Sequence, residues 1–239
     1  MTITNNSLGR LSIGPSPTIV DGLVLYLDAA SRRSYTGGTT WKDLSGNGND
    51  FTIYGSPAYK GKYFTLDGST SQYFQANPFP HPTDDFTIEL YERISVFNLT
   101  PLYSYAVTGD DNEGLMYLPS EAEGVIHIYG PTGSANTSYE LFTGRFYQIV
   151  RTRSYSSGDE KLYINGTEVF SGTLAAGTKT ETGGSFNVGQ EQDSPGGGFV
   201  PTQTLNGDVS MVRIYNRVLS TEEIVNNYQN IKSRFDTGV

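Results

Sequence analysis

Residues 206–228 of the chain have the sequence NGDVSMVRIYNRVLSTEEIVNNY, which predicts a strand, a turn and a short helix. Asn206-Gly207 is a turn dipeptide. The run that follows, residues 208–215, is rich in valine, isoleucine, methionine and tyrosine, as strands are. Asn216-Arg217 then turns the chain. We interpret this stretch as the element that closes a β domain.

The helix that follows the turn has a well-defined start. Ser220 and Glu223 have the spacing of a capping box, in which each side chain bonds the other residue's backbone N–H. Leu219 and Ile224 have the spacing of a hydrophobic staple across the same cap. One apolar helix face is predicted from the residues that recur at helical spacing, which are Ile224, Val225, Tyr228 and Ile231.

Upstream of this stretch the chain consists of short alternating runs. Residues 22–30 and 86–97 have strand periodicity, and residues 161–170 predict a hairpin around the type I′ dipeptide Asn165-Gly166. Residues 63–74 predict two more strands joined by an Asp67-Gly68 turn. The fold class predicted is all-β, an antiparallel β-sandwich of the jelly-roll type with one short C-terminal helix.

Two segments differ in composition and divide the chain. Residues 1–20 are predicted to be an extended N-terminal arm, because Pro15 and Pro17 exclude a helix there. Residues 21–239 are predicted to be the sandwich domain, since no change of composition interrupts them. The arm is expected to attach the protein to neighbouring subunits through its apolar side chains, Leu8, Leu11 and Ile13.

Composition excludes several classes of function. The chain of 239 residues has a net charge of −9 and lacks a basic surface for nucleic acid. It contains no cysteine, which excludes disulfides and thiolate chemistry. We expect a protein made in a cytoplasm without a signal peptide, because the N-terminus has no apolar core or cleavage pattern and no run could span a membrane.

Six segments together resemble the concanavalin A-like lectin/glucanase superfamily, in its laminin-G-like branch. The resemblance implies two packed, curved antiparallel sheets with a concave face, in a carbohydrate-binding or adhesive module. Ser210 and Met211 depart from the acidic residues that the family often has there. The segments, in the family's order, are GLVLYLDAA (22–30), TTWKDLSGNGND (39–50), YFTLDGSTSQYF (63–74), DFTIELYERI (85–94), EKLYINGTEVFSG (160–172) and LNGDVSMVRIYNRVLSTEEIVNNY (205–228).

Two of these segments, GLVLYLDAA and LSGNGN (residues 44–49), are similar to modules of bacteriophage virion proteins. This resemblance implies a virion structural protein, and the short chain favours a lectin-like capsid decoration on the virion surface. Its partners would then be other virion subunits, a second copy of itself in a homo-oligomer, and cell-surface carbohydrate. The alternative is a receptor-binding carbohydrate-binding module of a tail or fibre.

The resemblance also implies calcium at the rim of the sandwich, because related domains bind Ca²⁺ through carboxylates and carbonyls there. Oxygen-rich loops suit this hard cation. The loop carboxylates that qualify as metal ligands are Asp110, Asp111, Glu113, Glu191 and Asp193.

Ligand-binding and catalytic residues are sought among the strand aromatics and acids. An enzyme is not predicted, because Glu89 and Glu92 are three apart in one strand and point to opposite faces, whereas a retaining glycosidase needs paired carboxylates in one cleft. Glu92 is expected to mark the point where its strand leaves the core. His127 with Tyr129 leaves a polysaccharide lyase as the enzymatic alternative. The side chains proposed to contact a sugar are Tyr103, Tyr105, His127 and Tyr129.

Overall fold

The computed structural model describes residues 18–120 and 123–235, which form sixteen β-strands and one α-helix. The first eight strands are β1 (Leu23–Asp28), β2 (Thr40–Trp41), β3 (Phe51–Tyr54), β4 (Ala58–Tyr59), β5 (Phe64–Asp67), β6 (Tyr73–Phe79), β7 (Phe86–Val96) and β8 (Thr100–Val107). They are followed by β9 (Asp110–Leu118), β10 (Val125–Gly130), β11 (Gly133–Glu140), β12 (Phe146–Arg153), β13 (Asp159–Ile164), β14 (Thr167–Thr173), β15 (Gly184–Val188), β16 (Asn206–Tyr215) and α1 (Thr221–Ile231). Among these described elements, no helix is long and apolar enough to cross a membrane.

The strands form two eight-stranded antiparallel sheets, which confirms the predicted sandwich. The first sheet has the order β14-β13-β12-β7-β16-β5-β4, and β1 also pairs with β16. Along one side β16 pairs with β7, while β5 and β1 share its other side. The last strand of the chain therefore lies inside the first sheet, where it pairs with three strands from the N-terminal half.

The second sheet has the order β11-β10-β9-β8-β15-β6-β3-β2, and the apolar core lies between the two sheets. Trp41, the only tryptophan, is fully buried in this core. Its ring lies edge-on to Phe64 of the first sheet at 5.0 Å and to Phe74 of the second at 4.9 Å, measured between ring centroids. These contacts across the core stabilise the packing of the sheets on each other.

The two dipeptide turns that the sequence marks have different outcomes. Asn165-Gly166 joins β13 to β14 as a hairpin, and both residues have the positive φ (52° and 80°) that a type I′ turn requires. Asp67-Gly68 also turns the chain, but β5 and β6 do not pair with each other. They belong to different sheets, so the two predicted strands are present but the turn between them starts a crossover over the core.

The predicted helix cap is present. Ser220 Oγ accepts from the backbone N–H of Glu223, and the Glu223 carboxylate accepts from that of Ser220. Leu219 and Ile224 pack in one buried cluster on the outer face of the first sheet. The buried helix face differs from the apolar pattern because it includes Asn227, which is fully buried.

Asn227 is buried because it belongs to a polar network beneath the helix. Its Nδ2 donates to Glu89 Oε2 at 2.9 Å and to the Tyr215 hydroxyl at 3.0 Å. Arg213 forms an ion pair with the same Glu89 oxygen at 3.3 Å, and Gln148 Nε2 donates to Glu89 Oε1 at 2.7 Å. This cluster, which we call the helix network (Glu89, Gln148, Arg213, Tyr215 and Asn227), attaches α1 to the sheet.

Glu92 lies on the opposite face of β7, inside the sandwich. The sequence expectation that the strand leaves the core here was wrong, because Ile94 beyond it is still buried. Glu92 is 1% exposed, and neither carboxyl oxygen has a hydrogen-bond partner among the described residues. Burial therefore raises the pKa of Glu92 well above its usual value.

The arm lies mostly outside the described residues, and so do its predicted attachment residues Leu8, Leu11 and Ile13. The first described residues approach the helix. The Ile19 backbone N–H donates to Asn227 Oδ1 at 3.3 Å, and its carbonyl accepts from the Tyr215 hydroxyl at 3.3 Å. The division at residue 20 stays a prediction.

Candidate functional site

The turn between β8 and β9 meets the segment 190–203, here called the rim loop, at one edge of the second sheet. Between them lies a cavity of about 260 Å³ that opens to the surface, here called the rim cavity. It is lined by Val107, Gly109, Asp110, Asp111, Asp193, Ser194 and Pro195. The fold thus brings together three of the five predicted metal ligands from two distant segments.

A second cavity, of about 450 Å³, lies in the loop between β1 and β2 and shares no lining residue with the rim cavity.

The rim cavity is shaped by the turn between β8 and β9. Gly109 has a φ of 95°, which allows the tight return from β8 to β9. Asp110 Oδ1 accepts from the Asn112 backbone N–H at 2.9 Å, and Asp111 Oδ1 accepts from Asn112 Nδ2 at 3.2 Å. These bonds hold both carboxylates at the rim of the sheet.

The rim loop packs over the outer face of the second sheet. Gln192 Nε2 donates to the carbonyls of Ser104 at 3.1 Å and Ser185 at 2.9 Å. Its Oε1 accepts from the Gly196 backbone N–H at 2.7 Å. Gly196 has a φ of 74°, a backbone conformation that favours glycine.

Polar side chains of the sheet lie beneath the rim loop. Gln75 Nε2 donates to Asn187 Oδ1 at 3.0 Å, and the Ser185 hydroxyl donates to the same oxygen at 3.3 Å. Asn187 Nδ2 and Ser104 Oγ are buried, and no described residue hydrogen-bonds to them. We call Gln75, Ser104, Ser185 and Asn187 the polar patch. Buried polar groups are usually hydrogen-bonded, so this unpaired donor and hydroxyl have unused capacity for a polar ligand.

An aromatic pair continues the same outer face beyond the polar patch. The rings of Tyr54 and Tyr73 are stacked, with centroids 4.5 Å apart and planes at 11°. Tyr54 is 37% exposed, and Phe199 of the rim loop lies edge-on to Tyr73 at 4.9 Å. The sequence prediction missed both tyrosines. Period-two alternation in β3 and β6 marks them as neighbours of core residues but does not show that the two strands pair.

The tyrosines that the sequence did single out lie elsewhere. Tyr103 and Tyr105 are fully buried on the inner face of the second sheet, so their proposal as sugar contacts needs correction. The Tyr103 ring stacks on Phe186 at 5.2 Å, and the Tyr105 hydroxyl donates to the Glu181 carbonyl at 2.9 Å. Both are core residues, because their rings belong to the apolar cluster between the two sheets.

His127 and Tyr129 are half-buried, and they lie in β10 two residues apart. His127 is paired in register with Tyr117 of β9, and burial lowers the pKa of its imidazole. A largely neutral imidazole at neutral pH can accept a proton or a hydrogen bond. Because both side chains are partly exposed, His127 and Tyr129 stay candidates for contact with a sugar.

Calcium does not fit the rim as it stands. The described residues contain no group of three or more acidic or histidine side chains arranged to hold a metal ion. Glu113 is buried away from the rim cavity and accepts from the Glu181 backbone N–H at 2.6 Å. Asp193 lines the cavity but belongs to no such group. Calcium binding at the rim stays a prediction.

Glu191 is a buried carboxyl of the rim loop with a raised pKa. It is buried, and its Oε2 has no hydrogen-bond partner in the described ranges. Burial, with further contributions from Asp193 and Asp111, raises the pKa of Glu191 to about 7. At neutral pH the carboxyl is therefore protonated in part of the molecules, and it can donate or accept a hydrogen bond at the edge of the rim.

Comparisons with known sequences agree with this architecture. The family model for the concanavalin A-like lectin/glucanases superfamily matches residues 67–225. Serum amyloid P-component of Homo sapiens is 30% identical over 166 residues, which cover 70% of this chain and 74% of that protein. C-reactive protein 3.3 of Limulus polyphemus is 29% identical over 126 residues, 52% of each chain. The chain spans about half the length of the first curated relatives it matches.

Solved structures share the fold at low sequence identity. Domain 4 of a GH43 extracellular arabinanase from Geobacillus stearothermophilus, in complex with arabinotriose, has a TM-score of 0.64 and 19% identity, covering 86% of this chain and 98% of that one. A heptameric SAP-like pentraxin from Limulus polyphemus has a TM-score of 0.56 and 19% identity, covering 73% and 79%. Trypanosoma rangeli sialidase in complex with sialic acid has a TM-score of 0.66 and 16% identity, covering 91% and 34%.

Proposed function

Because the chain belongs to the concanavalin A-like lectin/glucanases superfamily, we propose that it is a non-enzymatic carbohydrate-binding protein that uses the outer face of its second sheet. One observation carries the proposal: this face places a stacked, partly exposed tyrosine pair beside a patch of buried amides and hydroxyls. Sugar-binding sites combine these two kinds of group, because sugar rings have apolar faces and polar edges. The arabinanase domain that shares the fold was solved with arabinotriose.

The solvent exposure of each group suggests which part of a sugar it would contact. Tyr54 presents its ring at the surface, where a sugar ring can stack on it. The polar patch lies behind the rim loop, so the loop must move for a sugar hydroxyl to reach Asn187 Nδ2 and Ser104 Oγ. The carboxylates at the rim, Asp110, Asp111 and Asp193, are placed to accept hydrogen bonds from further hydroxyls.

Replacement of Tyr54 by alanine is expected to weaken glycan binding at least about tenfold, since a tenfold change in Kd corresponds to about 1.4 kcal/mol and aromatic contacts contribute about that much. The measurement is a glycan array followed by calorimetry on the best ligand, each with calcium and with EDTA. Phe142→Ala is the matched control, because Phe142 is also an exposed aromatic residue (57%) but lies outside this face. An empty array, or equal affinity in Tyr54→Ala, would contradict the proposal.

The proposal that the protein is not an enzyme is supported by the positions of its strand carboxylates. Glu89 lies in the helix network and Glu92 lies in the core, on opposite faces of β7. Neither can reach a bound sugar. The lyase alternative rests on His127. We expect no turnover of alginate-type or capsular polysaccharides by the wild-type protein. Turnover that His127→Ala abolishes would replace this proposal by the lyase.

We also propose that the protein is carried on a bacteriophage particle as a capsid decoration. This proposal rests on the resemblance, described above, of residues 22–30 and 44–49 to segments of virion proteins, and none of the relatives reported above is a virion protein. In this proposal the protein is made in the host cytoplasm and attached through residues 1–20 to virion subunits or to its own copies. A tail or fibre location is the alternative within the same proposal.

Purified virions are expected to contain the protein at a fixed copy number, measured by quantitative mass spectrometry against the major capsid protein. Partial dissociation of heads from tails would then distinguish decoration of the capsid from a tail location. Absence from purified particles would overturn the virion proposal and leave the carbohydrate-binding proposal unaffected.

A further inference from the structure

The cavity of about 450 Å³ lies in the loop between β1 and β2, and none of its lining residues belongs to the tyrosine pair or the polar patch. Its walls are hydroxyl-bearing, glycine and basic residues, and we call it the basic cavity. It is lined by Arg32, Arg33, Ser34, Tyr35, Thr36, Gly37, Gly38, Thr39, Thr40 and Lys42.

The three basic side chains of this cavity have no acidic partner. Arg32, Arg33 and Lys42 form no ion pair within the described part of the chain, and all three are exposed. By contrast, Arg217 pairs with Glu223 at 2.7 Å. The chain as a whole has a net charge of −9, so a local group of three unpaired cations runs against its general charge. Unpaired cations around a cavity attract an anion.

The frame of the cavity is held in place before any ligand arrives. The Ser34 hydroxyl donates to the Lys42 carbonyl at 2.6 Å, and the Lys42 backbone N–H donates to the Ser34 carbonyl at 2.8 Å. The Tyr35 hydroxyl donates to the Gly38 carbonyl at 3.1 Å, and the Tyr35 ring lies edge-on to Phe64 at 4.8 Å. These contacts tie both ends and the middle of the loop, which lowers the entropy cost of binding.

The residues that line the basic cavity also suit a sugar that carries a carboxylate. A guanidinium presents a planar fork of N–H groups that matches a carboxylate. Arg32 and Arg33 supply two such forks. The hydroxyls of Thr36, Thr39 and Thr40 can exchange hydrogen bonds with sugar hydroxyls, and half-buried Tyr35 adds an aromatic surface.

We propose that the basic cavity binds the carboxylate of a hexuronate residue in an acidic polysaccharide. The choice of a sugar as the carrier of the carboxylate rests on the proposed carbohydrate-binding function, whereas the site itself is built from residues other than the tyrosine pair and the polar patch. The protein then has two sites on one chain, one for sugar rings and one for the charge of an acidic unit.

The test measures binding of polygalacturonate and of alginate by calorimetry at 150 mM NaCl, with methyl-esterified polygalacturonate as the uncharged ligand of the same backbone. The wild-type protein is expected to bind the two acids, and Arg32→Gln/Arg33→Gln is expected to lose at least about tenfold in affinity. The charge-matched control is Lys161→Gln/Lys179→Gln, which removes two exposed cations elsewhere and is expected to bind like wild type. Lys42→Gln is the second variant should the double variant melt early.

The outcomes separate the two sites. Loss of acidic binding in Arg32→Gln/Arg33→Gln with retention in Tyr54→Ala supports the inference, even if no neutral glycan binds and the proposed function fails. Equal binding of the methyl ester, equal loss in the lysine control, or unchanged binding in Arg32→Gln/Arg33→Gln and Lys42→Gln overturns it. Binding of dextran sulfate without either uronate polymer overturns the assignment to a carboxylate.

Discussion

Replacing Glu89 by alanine is expected to lower the free energy of unfolding by about 3–5 kcal/mol, the cost typical of removing one partner from a buried ion pair. Arg213 is fully buried, and Glu89 is its only ion-pair partner among the described residues. The same change removes the acceptor for Asn227 Nδ2 and Gln148 Nε2. Since these bonds attach α1 to the first sheet, the helix is expected to lose its contacts in the same transition.

Urea unfolding at pH 7, followed by circular dichroism, measures this change. Lys161→Gln is the matched control, because its ion pair with Glu168 is exposed (38% and 39%) and such pairs contribute about 0–1 kcal/mol. If Glu89→Ala lowers the free energy of unfolding by less than about 1 kcal/mol, water must take the place of the carboxylate beside Arg213. The helix network would then not be sealed as the burial of Arg213 indicates.

Replacing Glu92 by methionine is expected to have the opposite effect and to stabilise the protein. Burying a polar group without a hydrogen bond costs about 1–3 kcal/mol, and no described residue bonds either oxygen of Glu92. Methionine has a similar length and no such cost, so it can fill the same space in the core. Two glutamates three residues apart are thus predicted to shift stability in opposite directions.

The stabilisation by Glu92→Met is expected to grow with pH. The folded-state pKa of Glu92 is raised above its unfolded value, so above the unfolded pKa the unfolded chain binds fewer protons than the folded one. Wild-type stability then falls by about 1.4 kcal/mol for each pH unit until the pH reaches the folded pKa. Below the unfolded pKa both states are protonated, and only the cost of the unpaired carboxyl remains.

Unfolding curves from pH 4 to pH 8 test this linkage. Glu113 and Glu191, each with its pKa raised to about 7, add to the wild-type slope, so the quantity to compare is the difference between wild type and Glu92→Met. Glu92→Gln serves as a polar control that cannot titrate, and it should remove the pH dependence without removing the cost of an unpaired polar group. A difference that does not change with pH would show that Glu92 is ionised in the folded protein.

The elements that the sequence predicts correctly are those that local interactions decide. The capping box of Ser220 and Glu223 spans four residues, and the Asn165-Gly166 turn needs only the backbone freedom of its own two residues. The turn at Asp67-Gly68 is equally local, but the sheet that each flanking strand joins is not. Phe64 and Phe74 pack across the core against Trp41, and that choice depends on residues far away in the chain.

The candidate sites also combine features that are visible in the sequence with features that depend on packing. The acidic turn at Asp110 and Asp111 is visible in the sequence, but its meeting with Asp193 depends on how the rim loop packs. The pairing of Tyr54 with Tyr73 depends on the register between β3 and β6. Tyr103 is an attractive binding residue by composition, and only the side of the sheet it faces excludes it.

Local patterns in the chain therefore predict the β-sandwich, the closing strand with its capped helix, and the family. Periodicity, turn dipeptides and caps act over a few residues, and their energies do not depend on the rest of the fold. Which charges are paired, as at Glu89, and which lack a partner among the described residues, as at Glu92 and Arg32, depends on the packing of distant segments. Burial and pairing are properties of distant segments brought together, so no local pattern in the chain encodes them.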